Sequence, residues 1–210
     1  MELIEVRNLE KIYQNGSVKT PALRGVSFSI KEGEFVGVMG PSGSGKSTLL
    51  HILGFLDTPT KGDYFFEGKR MEDFSEEQLA YIRNKKMGFV FQNFNLLPRT
   101  NVLENVKLPL FYSGVKESLM EKMAREAIEK VGISYRINHY PSQLSGGERQ
   151  KVAIARAIVQ NPLVIFADEP TGNLDSKSGE NIMGILSSLN KEGHTILLVT
   201  HETWIAQYAE

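Results

Sequence analysis

Gly40-Pro41-Ser42-Gly43-Ser44-Gly45-Lys46-Ser47-Thr48 decides how the rest of the sequence is read: a glycine, four residues, then Gly-Lys-Ser, the phosphate-loop pattern. Before it, Phe35-Val36-Gly37-Val38-Met39 is a short apolar run that reads as a buried strand. After it, Leu49, Leu50, Ile52 and Leu53, followed by Gly54, read as a short helix closed by a glycine cap. Glycines let successive backbone N–H groups turn toward an anion with no Cβ in the way. The following helix adds free N–H groups and the positive end of its dipole. Lys46 supplies a mobile charge for terminal phosphates, and the Ser47 hydroxyl is a candidate Mg²⁺ ligand. The bland alternative is a Gly/Ser connection with an accidental Gly-Lys-Ser. The strand before and the helix after argue against it.

A second cluster lies far downstream. Leu163-Val164-Ile165-Phe166-Ala167 and Thr195-Ile196-Leu197-Leu198-Val199 are continuous apolar runs, the mark of parallel strands covered on both faces. Asp168-Glu169-Pro170 follows the first run directly, and open parallel sheets bind ligands beyond the carboxyl ends of their strands. There Asp168 is expected to hold Mg²⁺, usually through water, and Glu169 to orient and deprotonate an attacking water. His201, just past the second run, overhangs the same crevice and is placed to touch a γ-phosphate, although a lone histidine is usually structural. Gln92 follows the short strand Met87–Phe91 and is a plausible metal or water contact, weak on its own.

Leu144-Ser145-Gly146-Gly147-Glu148-Arg149-Gln150 carries a sharper signal. Ser145 and Glu148 have capping-box spacing, and Val152, Ile154, Ala155 and Ile158 continue a helix, so an ordinary N-cap is one reading. Gly146 and Gly147 in the first turn cost up to about 1 kcal/mol each relative to alanine. That cost makes sense where something must approach the backbone closely. A glycine-lined helix end with a serine hydroxyl is a second anion site.

The order of these stretches resembles the ATP-binding-cassette ATPases: Gly40–Thr48, Gln92, Leu144–Gln150, the run ending Asp168-Glu169, Asn173-Leu174-Asp175, and His201. The resemblance covers nearly the whole chain, and the Leu-Ser-Gly-Gly-Glu-Arg-Gln stretch is rare outside that family. Gly54-Phe55-Leu56-Asp57-Thr58-Pro59-Thr60 and Asn95-Leu96-Leu97-Pro98 look like its lipoprotein-release and macrolide-export branch; the division-associated branch is a poorer match. The resemblance implies an ATPase using ATP and Mg²⁺. It implies a head-to-tail homodimer in which residues 40–48 of one copy and Ser145, Gly146, Gly147 and Glu148 of the other close on one ATP. Glu169, His201, Gln92 and Lys46 would be catalytic, and Ser47, Gln92 and Asp168 would serve the metal. Tyr13 matches the aromatic that stacks on adenine, its alternative being a core tyrosine at a strand edge. Asp175 matches the loop that crosses the dimer interface. Gln92 lies in the joint where membrane subunits dock. The expected partner is an integral membrane permease that exports or extracts substrate, with the chain cytoplasmic and peripheral on the inner face of the cell membrane. Signalling across the membrane without transport is the rival reading. A nucleic-acid-linked ATPase is the remote one, because neither a long coiled coil nor a tandem cassette is present. Family members usually continue past the His201 segment with a further strand or hairpin; this sequence stops at Glu210, which leaves one sheet edge and the dimer's stability open.

The whole chain sets the bounds. With 210 residues it is long enough for one domain with a substantial core. Its 24 basic and 25 acidic residues give a formal net charge of −1, so no global field favours nucleic acid. Cysteine is absent, which excludes disulfides and thiolate metal sites and suits a reducing compartment. Met1-Glu2-Leu3-Ile4-Glu5-Val6-Arg7 alternates like a strand and lacks a signal-peptide core, and no apolar run approaches the ~20 residues of a membrane helix. A soluble chain is expected, with any membrane role coming through a partner. Ile4–Arg7, Val26–Ile30 and Tyr64–Glu67 alternate as half-exposed antiparallel strands. From Ser75 to about Tyr140 the pattern is mostly helical, with an apolar stripe of Leu119, Met120, Met123, Ala124, Ala127, Ile128 and Val131. The fold class expected is α/β: a phosphate-loop NTPase core of mostly parallel sheet with flanking helices, an N-terminal antiparallel β subdomain, and an inserted helical subdomain. Residues 1–91 and 160–210 would form the core, and 92–159 the insertion.

Overall fold

The computed structural model describes residues 2–209; Met1 and Glu210, at the ends of the sequence read above, lie outside the described residues. Two four-stranded sheets form the frame. The first is antiparallel, in the order β2 (Val18–Lys31), β1 (Glu2–Asn15), β4 (Lys61–Phe66), β5 (Lys69–Arg70). The second is parallel, in the order β3 (Phe35–Met39), β8 (Thr195–Thr200), β7 (Val164–Asp168), β6 (Met87–Phe91). Parallel neighbours require crossovers, and the helices supply them: α1 (Lys46–Leu53), α2 (Glu76–Lys86), α3 (Val102–Phe111), α4 (Glu117–Lys130), α5 (Gly146–Ile158) and α6 (Ser176–Lys191).

Both faces of the parallel sheet are covered, which is why its inner strands read as unbroken apolar runs. Val90, Ile165, Ala167, Ile196 and Leu198 face one core with residues of α3, α4, α5 and α6. Their alternates Met87, Val164, Phe166, Leu197 and Val199 face the other, built with α1, α2 and the inner face of the antiparallel sheet, where Ile4, Leu9, Tyr64 and Phe66 are buried. The α/β class, the antiparallel N-terminal sheet and the parallel sheet with flanking helices are therefore as the sequence indicated.

The register of the parallel sheet positions the chemistry. Phe91 lies opposite Asp168, Asp168 opposite Val199, and Met39 opposite Thr200. All four strands thus end level, and the segments beginning at Gly40, Gln92, Glu169 and His201 leave the same sheet edge.

Some expectations need correction. Phe35–Met39 is not a fully buried strand: only Phe35 is buried and Met39 is exposed, because β3 pairs on one side only, with β8. Gly54 caps α1 as expected, its N–H donating to Leu50 O, but not in the left-handed conformation; its φ is −83° and the left-handed residue is Phe55, at φ 55°. What fixes glycine there is packing, since a Cβ on Gly54 would sit 2.4 Å from the Phe89 ring. Glu67 lies outside β4, in the turn to β5 at φ 50°. β6 is the strand expected at Met87–Phe91, but the otherwise helical stretch from Ser75 to Tyr140 is also broken by irregular backbone at 92–101, where Phe94 and Asn95 have positive φ. On α4, Met120, Ala124, Ala127 and Ile128 are buried as expected, whereas Leu119 is exposed.

Candidate nucleotide site

Between β3 and α1 the chain turns over its own lysine. Lys46 Nζ donates to the carbonyl oxygens of Gly40 and Pro41, both at 2.8 Å, and the side chain is buried in this curl. Gly45, the residue before α1, has φ 91°, and a Cβ there would lie 2.3 Å from the Ala22 carbonyl oxygen. Only glycine meets both demands. Unlike Ser75, Asn101, Ser145 and Asp175, which cap α2, α3, α5 and α6 with side-chain oxygens, Gly45 offers α1 no side-chain cap. Nor does α1 carry an acidic residue in its first turn. The N–H groups of that turn are left for an external anion.

Across the sheet edge, Ser47 Oγ donates to Asp168 Oδ1 at 3.0 Å, joining the loop to the end of β7. Burial pushes the Asp168 carboxyl above its ordinary value of 3.8 and the adjacent Glu169 charge adds to this, while Ser47, His51 and Lys46 oppose it. A hydroxyl and a carboxylate on neighbouring loops are hard oxygen donors of the kind Mg²⁺ takes alongside phosphate oxygens and water. Among the described residues no group of three or more His, Cys, Asp or Glu is placed to hold a metal alone. The donor set fits a cation that arrives with its phosphates.

Glu169 has φ 45°, rare for a residue with a side chain. Its N–H donates to Val199 O at 2.9 Å, its carbonyl accepts from Gly172 N–H at 3.1 Å, and its Oε1 lies 3.1 Å from His201 Nδ1. Gly172 fills the narrow gap beside this carboxylate: a Cβ there would be 2.7 Å from Gln92 Nε2 and 3.4 Å from Glu169 Oε2. Gln92, Glu169 and His201 are thus brought together. Asn173 Nδ2 ties the segment after β7 to the one after β6, donating to Gln92 O at 3.0 Å and Asn93 Oδ1 at 3.1 Å.

The Ser145 end is built as a capping box: Ser145 Oγ accepts from Glu148 N–H at 3.2 Å, and Glu148 Oε2 accepts from Ser145 N–H at 2.8 Å. The cap uses a hydroxyl lone pair, so the hydroxyl proton remains free to donate. Gly146 packs against Leu174, and Gly147 against Ser178, where a Cβ would lie 3.1 Å from each. Ser145, Gly147, Glu148, Lys151, Lys177 and Ser178 line a cavity of about 260 Å³, which also touches Asn181 and Ile182 but no residue of the 40–48 loop. Asp175 caps α6, accepting from Ser178 N–H at 3.0 Å and from Ser178 Oγ at 2.6 Å. Tyr13 stands apart on β1: its hydroxyl donates to Asp57 Oδ2 at 2.8 Å, and Lys11 Nζ sits 4.9 Å from its ring centroid. The structure therefore gathers the 40–48 loop, Gln92, Asp168, Glu169 and His201 at one edge, and places Ser145–Glu148 with Asp175 in a separate group.

Further residues hold these segments in roles that the sequence did not indicate. Gln150, fully buried, donates from Nε2 to Pro170 O at 2.7 Å and so links α5 to the turn carrying Glu169; its Oε1 has no partner. Arg156 donates to Asn95 O at 2.6 Å and Phe94 O at 2.8 Å, fixing the left-handed backbone after Gln92. Asp57 orients Tyr13. Each is a polar side chain whose partner is remote in sequence.

Known proteins resemble this chain over nearly its whole length. The family model described as "ABC transporter" matches residues 23–172. An uncharacterized ABC transporter ATP-binding protein of Methanocaldococcus jannaschii, MJ1508, is 53% identical over 207 residues, covering 99% of this chain and 92% of that protein. The macrolide export ATP-binding/permease protein MacB of Bdellovibrio bacteriovorus is 50% identical over 208 residues, which span 99% of this chain but 32% of MacB. Among solved structures, the dimeric post-hydrolysis state of the ATP-binding cassette MJ0796, bound to ADP and Pi, superposes with a TM-score of 0.90 at 45% identity, covering 99% of this chain and 91% of that one.

Proposed function

This chain belongs to the ABC transporter family and is an ATP-binding ATPase subunit of that type, and on that premise we propose that two copies pack head to tail around ATP and drive a membrane-spanning export permease. The observation that carries the reading is the separation of two anion-ready helix ends. The α1 end lies at the sheet edge with Asp168, Glu169 and His201, whereas the α5 end opens into a cavity that the 40–48 loop does not line. One copy cannot close both on a single triphosphate, but two copies in antiparallel array can. The MJ0796 cassette, similar over nearly the whole chain, is described as dimeric with ADP and Pi, which supports this.

Each residue's part follows from its place. Lys46 exchanges the Gly40 and Pro41 carbonyls for phosphate oxygens, and the N–H groups of Gly43 through Thr48 surround the phosphates. Ser47 and Asp168, with Gln92, would hold Mg²⁺, which supplies charge neutralisation at the phosphoryl group when bound. Glu169 takes a proton from a water aimed at the γ-phosphorus; the new P–O bond forms as the bridging bond to the β-phosphate breaks. His201 holds the Glu169 carboxylate and reaches the γ-phosphate. Tyr13, fixed by Asp57, stacks on adenine. From the second copy, Ser145, Gly146 and Gly147 present the hydroxyl and N–H groups, and Asp175 lies at the interface. Loss of the γ-phosphate removes the ligand both copies share, and the pair opens.

In this reading residues 92–159 form a helical subdomain that transmits the change through Gln92, and residues 1–91 and 160–210 form the core. The permease is expected to be the membrane component, since among the described residues no helix is long and apolar enough to cross a membrane. The macrolide-export relatives, which carry a permease in the same chain, favour export, with this chain on the inner face of the cell membrane. The test is Glu169→Gln with ATP on size-exclusion chromatography. A stable dimer is expected, and adding Ser145→Arg should abolish it. A dimer that survives Ser145→Arg removes the trans contact from the mechanism.

A further inference from the structure

The helix end assigned to receive the second copy's triphosphate carries a carboxylate of its own. Glu148 is the acidic residue in the first turn of α5 and lines the cavity beside Ser145 and Gly147. Its capping role needs an acceptor at that position, which the neutral amide of glutamine also supplies. The charge is therefore not required by the cap, and an anion at a helix N-terminus competes with any other anion for the same field.

The carboxylate is met by three donors. Oε2 accepts from Ser145 N–H at 2.8 Å; Oε1 accepts from Arg136 Nε at 2.8 Å and from Tyr135 Oη at 3.2 Å. Burial works against the charge, but the Ser145 N–H, the Arg136 guanidinium and the Tyr135 hydroxyl outweigh it and hold the Glu148 carboxyl down at about 2. Arg136 is anchored in turn. Its Nη1 lies 3.1 Å from His139 Nε2, which must accept because a guanidinium only donates. Both residues belong to the connection between α4 and α5, outside the cavity, which Lys151 and Lys177 line along with Glu148. The neighbouring Asp175 carboxylate is committed to Ser178 on α6.

We propose that Arg136 is a positioning residue for the hydrolytic dimer: paired with Glu148, it cancels the charge that would otherwise repel the second copy's triphosphate, and it keeps the Ser145 cap in its receptive form. The inference rests on the sandwich reading above and gives Glu148 a different part from a nucleotide ligand. It is the group that must be neutralised.

The experiment uses the full chain carrying Glu169→Gln, with the ATP concentration for half-maximal dimer read by sedimentation velocity. Arg136→Met should raise that concentration by about tenfold, the scale of one uncompensated charge a few ångströms from a phosphate at a partly exposed site. The deficit should shrink as salt is raised. Adding Glu148→Gln to Arg136→Met keeps the cap and removes the charge, and should return the concentration to within about threefold of the parent, the scatter expected of such partly exposed contacts. If Arg136 merely stiffens the α4–α5 connection, the double variant stays as impaired as the single, and the proposal falls. It falls equally if Arg136→Met dimerises like its parent. A parent that forms no dimer with ATP overturns the sandwich reading itself, and this inference with it, an outcome distinct from a defect confined to the Arg136 variants.

Discussion

Glu169 combines the proposed base role with a strained backbone, and two substitutions there separate the effects. Its φ of 45° is left-handed, a conformation that costs a residue with a Cβ about 1–2 kcal/mol. The turn is held by Glu169 N–H to Val199 O, Gly172 N–H to Glu169 O, and Gln150 Nε2 to Pro170 O, so the surrounding structure enforces the strain. Glu169→Ala and Glu169→Gly both delete the carboxylate and its contact with the exposed His201. They differ only in the Cβ. At an ordinary position glycine is less stable than alanine by roughly 0.5–1 kcal/mol; here the strain term outweighs that entropy, and glycine should be the more stable by about 0.5–1 kcal/mol. For a domain of this size that is a gap of about 1–4 °C in thermal midpoint with glycine above alanine. Both variants should lose steady-state phosphate release by about 10²–10⁴-fold, the usual weight of a general base. Thermal melts and a phosphate-release assay on the same preparations decide it. A glycine variant that melts below the alanine variant refutes the strain argument, and turnover in either variant within about tenfold of the parent takes Glu169 out of the base role.

Asp168 offers a pH-dependent counterpart: burial and the adjacent Glu169 raise its carboxyl above 3.8, so the folded state is favoured by protonation and loses that advantage as pH rises from 3.8 through the raised value. Asp168→Asn should therefore melt higher than the parent at pH 7, the gap closing as pH falls through that window, and should lose Mg²⁺-dependent hydrolysis; a gap that widens on acidification contradicts the assigned direction. Gln150→Leu strands the buried Pro170 carbonyl and should cost about 1–3 kcal/mol, read from urea melts. An unchanged urea midpoint would show that the link between α5 and the Glu169 turn contributes nothing. Gly45→Ala places a Cβ 2.3 Å from Ala22 O at a φ of 91°, and affinity for a labelled ATP analogue should fall by at least about tenfold because the loop must move; binding within about threefold of the parent would show that the loop relaxes without harm.

What could be read in the sequence and what could not divides along a physical line. The helix starts after Gly45 and Ser145 are legible because glycine, serine and lysine at fixed spacing are what such backbone turns and caps require. The two inner strands were legible because cover on both faces leaves no polar alternation to interpret. Phe35–Met39 misled for the same reason in reverse: its apolar run matches an inner strand, but its burial is set by a neighbour on one side only, and no local pattern encodes that. Gly54 caps α1 as its position after the helix indicates, but what requires a glycine there is the Phe89 ring from a distant strand, which no local pattern announces. Arg136, Gln150 and Arg156 are harder still. Arg156 reaches carbonyls 61 and 62 residues away, Gln150 one 20 residues away, and Arg136 a carboxylate 12 residues on, across the one-turn segment at Pro141–Gln143. Ordinary solvated arginines and glutamines have the same local sequence signature, so only the fold tells them apart. The helix ends proposed to grip phosphate are therefore announced locally. The side chains that set their charge and orientation are not: the Arg136–Glu148 pair exists only in three dimensions, even though Glu148 itself belongs to the most recognisable stretch in the chain.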